Sequence, residues 1–420
     1  MPASSSPPAG SGPASQPLHL AVALDGAGWH PAAWRDPGSR PRELLTARYW
    51  AELVTEAERG LLDFVTLEDG LSPQSSHPTH RDDRTDQVRG RLDAVLVAAR
   101  VAPVTRHIGL VPTVVTTHTE PFHISKAIAT LDHVSGGRAG VRVRVSVRTD
   151  ETAHFGRRTL PPVDLSDPGG PGPLPVVEEL FDEAADHVEV QRRLWDSWED
   201  DAEIRDVATG RFVAREKLHH IDFHGRHFSV KGPSITPRPP QGQPPVTALA
   251  HATVPYRLVA RAADVGYVTP HDVDQARAIT EEIRAEQAAA GREHEPLHVF
   301  GDLVVFLDET PARAAARRDR LDDLAGEEYT SDAEIFTGTP AQLADLLLQR
   351  REGGLTGYRL RPAVAARDLR AITRGLVPEL RSRGVFRHAY EASTLRGLLG
   401  LPRPANRYAS AARPEGDRAA

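Results

Sequence analysis

Strand-like and helix-like segments alternate about eight times along this chain, without any internal sequence repeat. The strand-like stretches are 18–24, 62–67, 108–115, 141–146, 245–250, 265–269, 297–307 and 355–361. Helical patterns fall between them, at 46–58, 92–101, 177–198, 256–263, 276–290, 311–324 and 340–351, with one opened by Pro121 and another at 369–383. Alternation of this kind is the signature of parallel βα units, and eight such units predict a closed (β/α)₈ TIM barrel. The competing doubly wound open sheet needs a glycine-rich phosphate loop after its first strand. Asp25-Gly-Ala-Gly28 is a poor match to that fingerprint, so the barrel is expected.

The most informative stretch is Thr130-Leu-Asp-His-Val-Ser-Gly-Gly-Arg138 and the Ala-Gly-Val-Arg-Val-Arg-Val-Ser146 that follows. It reads as a helix end, a turn and a strand, because glycine at 136 and 137 can adopt the positive φ that stops a helix. In the strand, Val141, Val143 and Val145 take one face and Arg142 and Arg144 the other, a period of two. With the valines against the helical shell, both arginines point into the barrel. A buried guanidinium there requires an anionic partner.

Composition narrows the function classes. The chain has 51 Lys+Arg against 58 Asp+Glu, a net charge of −7, which argues against general nucleic-acid binding. No apolar run is long enough to cross a bilayer and no signal peptide is visible, so no membrane association and a cytoplasmic location are expected. With no cysteine, disulfides, thiolate catalysis and Cys-ligated zinc are excluded. His219, His220 and His224 lack companion acidic spacing, and no metal is expected. Residues 1–16 read as a disordered tail, 17–408 as one barrel domain and 409–420 as a flexible end. The Pro/Gly-rich 157–175 looks like a mobile insertion, and 199–244 like a second one.

The quoted 130–138 stretch, together with Pro112-Thr-Val-Val-Thr-Thr117 and Pro121-Phe-His123, resembles the bacterial-luciferase-like flavin monooxygenases. It is similar in particular to the branch that oxidises nitrilotriacetate and dibenzothiophene sulfone. Leu194-Trp-Asp-Ser-Trp-Glu-Asp-Asp201, His224-Gly-Arg-His-Phe-Ser-Val-Lys-Gly-Pro233 and Val377-Pro-Glu-Leu-Arg-Ser-Arg-Gly-Val-Phe386 extend the resemblance over nearly the whole chain. It implies a TIM barrel with insertions after the fourth and fifth strands. It also implies reduced FMN from a separate flavin reductase, an O2-dependent oxidation of a small organic substrate at the barrel's C-terminal mouth, and a homodimer or higher oligomer. The oxygen chemistry would be the cofactor's own.

The same resemblance assigns flavin contacts to Asp69, at the end of the second strand, and Thr113, in the third. A turn-capping carboxylate is the plain alternative for Asp69, and Thr113 is also an ordinary strand residue. Arg142 stands where relatives carry an asparagine. Arg142 and Arg144 either pair with Glu68, Asp69 or another inward carboxylate, or hold the flavin phosphate or an anionic substrate. Relatives place His and Tyr four apart on one helix face, where this chain has Val177 and Phe181. Their Ala-Gly-Ser-Ser phosphate loop is replaced by Ala248-Leu-Ala-His-Ala-Thr253, in which His251 or Thr253 could serve as donors. Trp29, His30 and Trp34 are candidate walls of a substrate pocket. His118 and His123 read as structural, and Asp302 and Glu309 carry no signal. Two competing readings are a deazaflavin (F420)-dependent oxidoreductase and a barrel without flavin that serves as a binding or partner protein.

Overall fold

The computed structural model describes residues 17–77, 79–163 and 174–409. Eight parallel strands close on themselves: β1 (His19–Leu24), β2 (Phe64–Leu67), β3 (Gly109–Val115), β4 (Val141–Arg144), β5 (Val246–Leu249), β6 (Val265–Val268), β7 (His298–Leu307) and β8 (Gly357–Pro362). Each strand pairs with the next in sequence, and β8 pairs with β1 through Ala21 opposite Arg359. The barrel expected from alternation is the fold observed.

Helices cover the outside. They are α1 (Ala47–Arg59), α2 (Ala94–Val101), α3 (Pro121–Ser135), α4 (Thr149–Phe155), α5 (Leu174–Asp196), α6 (Thr253–Ala262), α7 (Val273–Ala289), α8 (Pro311–Ala325), α9 (Pro340–Arg351), α10 (Ala365–Ala371) and α11 (Val377–Ser382). Their starts carry caps legible in the sequence: Thr46, Asp93, Asp272, Thr310 and Thr339 each accept a backbone N–H from the first turn. One short strand, Glu334–Gly338, was not anticipated. It lies beside the C-terminal half of β7 without joining the closed ring, and four of its five residues are half-exposed, so it lacks the buried apolar run that marks the other strands.

Both segments read as insertions lie between β4 and β5. The connection after β5 runs only from Leu249 to Thr253, so 199–244 stands before the fifth strand rather than after it. Its two antiparallel hairpins, Glu203–Asp206 with Arg211–Val213 and Phe223–His224 with Ser229–Val230, account for its weak periodicity. Most of 157–175, the 1–16 tail and the end from 410 onward lie outside the described residues.

The 130–138 stretch is a structural clamp. Gly136 ends α3 with φ 69°. Gly137 follows at φ 88°, and a Cβ there would meet Thr394 Cγ2 at 2.8 Å. Arg138 is buried and donates to the carbonyls of Ser135, Ile108, Ala102 and Thr105 and to the Thr105 hydroxyl. The fully buried Asp132 accepts from the Ala139 N–H (3.1 Å), the Gln241 N–H (3.1 Å) and Gln241 Nε2 (2.6 Å). Residues far apart in sequence are thus tied at the foot of β4. Below, Leu395, Leu399 and Leu401 enter the bottom of the barrel and pack with Phe64, Val111, Val265, Tyr267 and Phe300. The segment after α11 is therefore the barrel's lower plug.

Replacing Asp132 by Ala strands three buried donors. The expected loss is about 3 kcal/mol or more, checked by urea denaturation, with Asp132→Asn losing less because it keeps one acceptor oxygen.

Candidate active site

Above the apolar plug, the inward positions turn charged. Register sets Thr113 opposite Arg142, and Arg142 opposite Thr247. On the far side of the ring, Asp302 of β7 is opposite Arg359 of β8. Asp302 is the hub. Arg359 donates to it twice, through Nε at 2.9 Å and Nη2 at 2.6 Å. Arg361 donates to the same carboxylate through Nε at 2.8 Å, and to Asp332 at 2.5 Å and 3.0 Å. Arg359 also reaches Glu68 (3.2 Å), which receives Arg142 Nη1 on its other oxygen at 2.6 Å. Asp332 continues the chain to His251 Nε2 at 3.0 Å. The guanidiniums of Arg359 and Arg361 lie over the rings of Tyr267 and Trp29, at 4.3 Å and 4.5 Å from the centroids.

This network lies in the barrel's interior: the Asp302, Arg359 and Arg361 side chains are at most 1% exposed. Burial pushes the carboxyls of Glu68 and Asp302 up, but the facing arginines outweigh it and hold both below the ordinary carboxylate range. Asp332 is likewise pushed up by burial and pulled further down by His251 and Arg361. Burial, with Arg359 nearby, brings Arg142 down to about 10, which leaves it charged at neutral pH. Fixed charges, rather than groups poised to exchange protons near neutrality, therefore floor the mouth.

The expected site residues divide accordingly. Arg142 and Arg144 do point inward. Arg142 takes the pairing alternative, bonding Glu68 and, at 3.1 Å, the Thr113 hydroxyl. Its Nε is buried without a partner among the described residues. Arg144 is half-buried and donates to the Asp69 carbonyl at 2.7 Å, with no carboxylate within ion-pair distance among the described residues. The Asp69 carboxylate accepts from the N–H groups of Gly70 (2.7 Å) and Ala94 (2.8 Å), which is the turn-capping alternative. His251 is exposed at the rim, between Thr269 (3.1 Å) and Asp332. Trp29 is half-buried beneath Arg361. His30, expected as a pocket wall, is instead buried. Its Nε2 pairs with Asp322 at 2.9 Å, its Nδ1 accepts the Ala32 N–H, and its ring packs on Phe306 and Tyr329. Asp302, Arg359 and Arg361 were missed. The signal was available: one acid in the middle of an otherwise apolar strand, and a second Arg-x-Arg alternation in Gly357-Tyr-Arg-Leu-Arg-Pro362.

A cavity of about 220 Å³ opens beside the mouth, lined by Thr117, His118, Phe155, Arg158, Glu183 and Phe228 among others. His118 stacks on Phe155 with centroids 5.2 Å apart. Burial and Arg158 hold its imidazole below the usual value.

Residues 27–377 match the family model for luciferase-like monooxygenases, and the chain belongs to that family. It is 30% identical to nitrilotriacetate monooxygenase component A of Aminobacter aminovorans, over 94% of this chain and 99% of that one. It is also 30% identical to N-acetyl-S-(2-succino)cysteine monooxygenase of Bacillus subtilis, over 93% and 98%. In fold it matches the long-chain alkane monooxygenase structure with a TM-score of 0.79 (22% identity; 92% and 96% covered). EDTA monooxygenase from Chelativorans sp. BNC1 follows at 0.76 (21%; 92% and 99%).

The family's flavin raises a test at the β5–α6 turn, where the resemblance places a phosphate loop, and at the facing start of α5, where it places two further flavin contacts. Ala252 precedes α6 and offers no side-chain cap. The Thr253 hydroxyl is bonded to Glu282 at 2.7 Å. Val177 and Phe181 present no polar atom. The adjoining cavity, about 160 Å³, mixes Phe181, Ala185, Val254 and Leu258 with Glu178 and Asp182. Arg261 there is paired to Asp182 at 2.9 Å, and Arg257 to Glu286 at 3.3 Å and Glu178 at 3.8 Å. Among the described residues, the side chains at this end do not fit a phosphate.

Asp302→Asn would leave two buried guanidiniums short of countercharge, at an expected cost of about 3–5 kcal/mol in chemical denaturation. The Asp302 carboxyl sits below its ordinary value in the folded protein, so its stabilisation is complete above the unfolded pKa and fades as pH falls through the folded one. Denaturation followed from about pH 7 downward should show a constant gap between wild type and Asp302→Asn above the unfolded carboxyl pKa of about 4, and a narrowing gap below it.

Proposed function

We propose that the protein is the oxygenase component of a two-component system. It takes reduced flavin, FMN in the cell, from a separate cytoplasmic reductase and uses O2 to oxidise a small organic substrate. The observation that carries this reading is the end-to-end similarity to nitrilotriacetate monooxygenase component A. The family's closed barrel supports it. The flavin chemistry is the cofactor's; the chain's contribution is to bind, orient and keep water away. Thr113, Arg142 and Arg144 are the assigned flavin-facing groups at the mouth, Asp69 acting through the carbonyl that holds Arg144. His251 and Trp29 border the opening, and the cavity beside His118 and Phe155 is the assigned substrate approach. A homodimer or higher oligomer is the proposed state.

The test is an anaerobic fluorescence titration with reduced FMN and reduced F420, followed by oxygen uptake with a reductase present. Preferential binding of reduced flavin supports the reading, and preference for F420 moves the protein to the deazaflavin enzymes. Arg144→Gln should weaken reduced-flavin binding by about tenfold, the scale of one charge-assisted hydrogen bond. Its thermal midpoint should barely move, because among the described residues the Arg144 side chain has a single hydrogen bond, to a carbonyl.

A further inference from the structure

Resting on the flavin reading, we infer that this chain does not recognise the flavin's phosphate. It accepts the unphosphorylated flavin, with its neutral ribityl end, as well as FMN. A phosphate carries about −1.5 to −2 charges at neutral pH and is held where several uncommitted donors converge. At the β5–α6 turn and the start of α5, three side-chain positions that could supply donors are Val177, Phe181 and Ala252. Among the described residues, the side-chain donors that remain there are already engaged: the Thr253 hydroxyl by Glu282, His251 by Thr269 and Asp332, Arg261 by Asp182, and Arg257 by Glu178 and Glu286.

Charge points the same way. The carboxylates of Glu178, Asp182, Glu282 and Glu286 crowd the two arginines, so an incoming dianion meets a field that is not positive. The backbone N–H groups at the start of α6 remain, since Ala252 cannot cap them, and their dipole favours an anion only weakly. The rest of the cavity is apolar, walled by Phe181, Ala185, Val254 and Leu258. An uncharged chain end suits this lining, and a phosphate gains little over water there.

The deciding measurement is an anaerobic titration of the full chain with reduced FMN and with reduced riboflavin, read by protein fluorescence. Dissociation constants within about threefold of each other are expected. The combined variant Val177→His, Phe181→Tyr, Ala252→Ser should tighten FMN by about tenfold or more and leave riboflavin unchanged. A wild-type preference for FMN of about tenfold or more overturns the inference while leaving the flavin reading intact. Binding of neither flavin overturns both. A variant that gains no FMN preference also overturns it, because the three positions would then not govern phosphate recognition.

Discussion

Three arginines with almost no contact with water have to be neutralised inside the barrel, and Asp302 is where that constraint is met. Its carboxylate takes two hydrogen bonds from Arg359 and more from Arg361, while Glu68 bridges Arg359 to Arg142. Strands β2, β4, β7 and β8 are therefore bound across the interior as well as along their edges. A buried pair of this sort adds little net stability compared with an apolar filling. What it does is fix geometry, since every guanidinium has a defined acceptor and every carboxylate is kept ionised by its neighbours. The mouth stands on a floor that cannot shift one charge without unpairing another.

Much of the architecture could be read before any coordinates, because barrel strands are buried on both faces and announce themselves as short apolar runs between helical periods. Glu334–Gly338 escaped because it sits at the edge, half-exposed and outside the ring. The alternation of Val141 to Val145 correctly sent Arg142 and Arg144 inward. The partner choice could not follow from it, since which carboxylate faces a given arginine depends on register between β4, β2 and β8. Asp302 shows the limit clearly: one acid among valines and phenylalanines says that something is paired, and only Arg359 opposite it in the sheet says with what. His30 failed for a related reason. Position on the first βα loop suggested a pocket wall, but the loop folds under α8 and hands the imidazole to Asp322.

Family membership and local departures now sit together. The chain aligns with its relatives over more than nine-tenths of its length, and its eight strands close into the family's barrel. On the proposed placement of the flavin, the two ends of its site depart from the resemblance in opposite senses: Arg142 brings positive charge to β4, and Ala252 brings no polar donor to the β5–α6 turn. Such paired changes shift where binding energy comes from, toward the mouth and away from the tail of the ligand. Asp69 is committed twice, its carboxylate to the N–H groups of Gly70 and of Ala94 at the start of α2 and its carbonyl to Arg144.

The leucine plug has a bearing on synthesis. Leu395, Leu399 and Leu401 follow all eight strands in the chain, yet they fill the lower bore against Phe64, Val111 and Phe300. A nascent chain emerging from the ribosome can pair its early strands, but the foot of its barrel stays hollow and greasy until this late segment arrives. Completion of the core is thereby deferred until this segment has been made, and a chain stalled before that point would expose an apolar well of its own making to every chaperone and neighbour in reach.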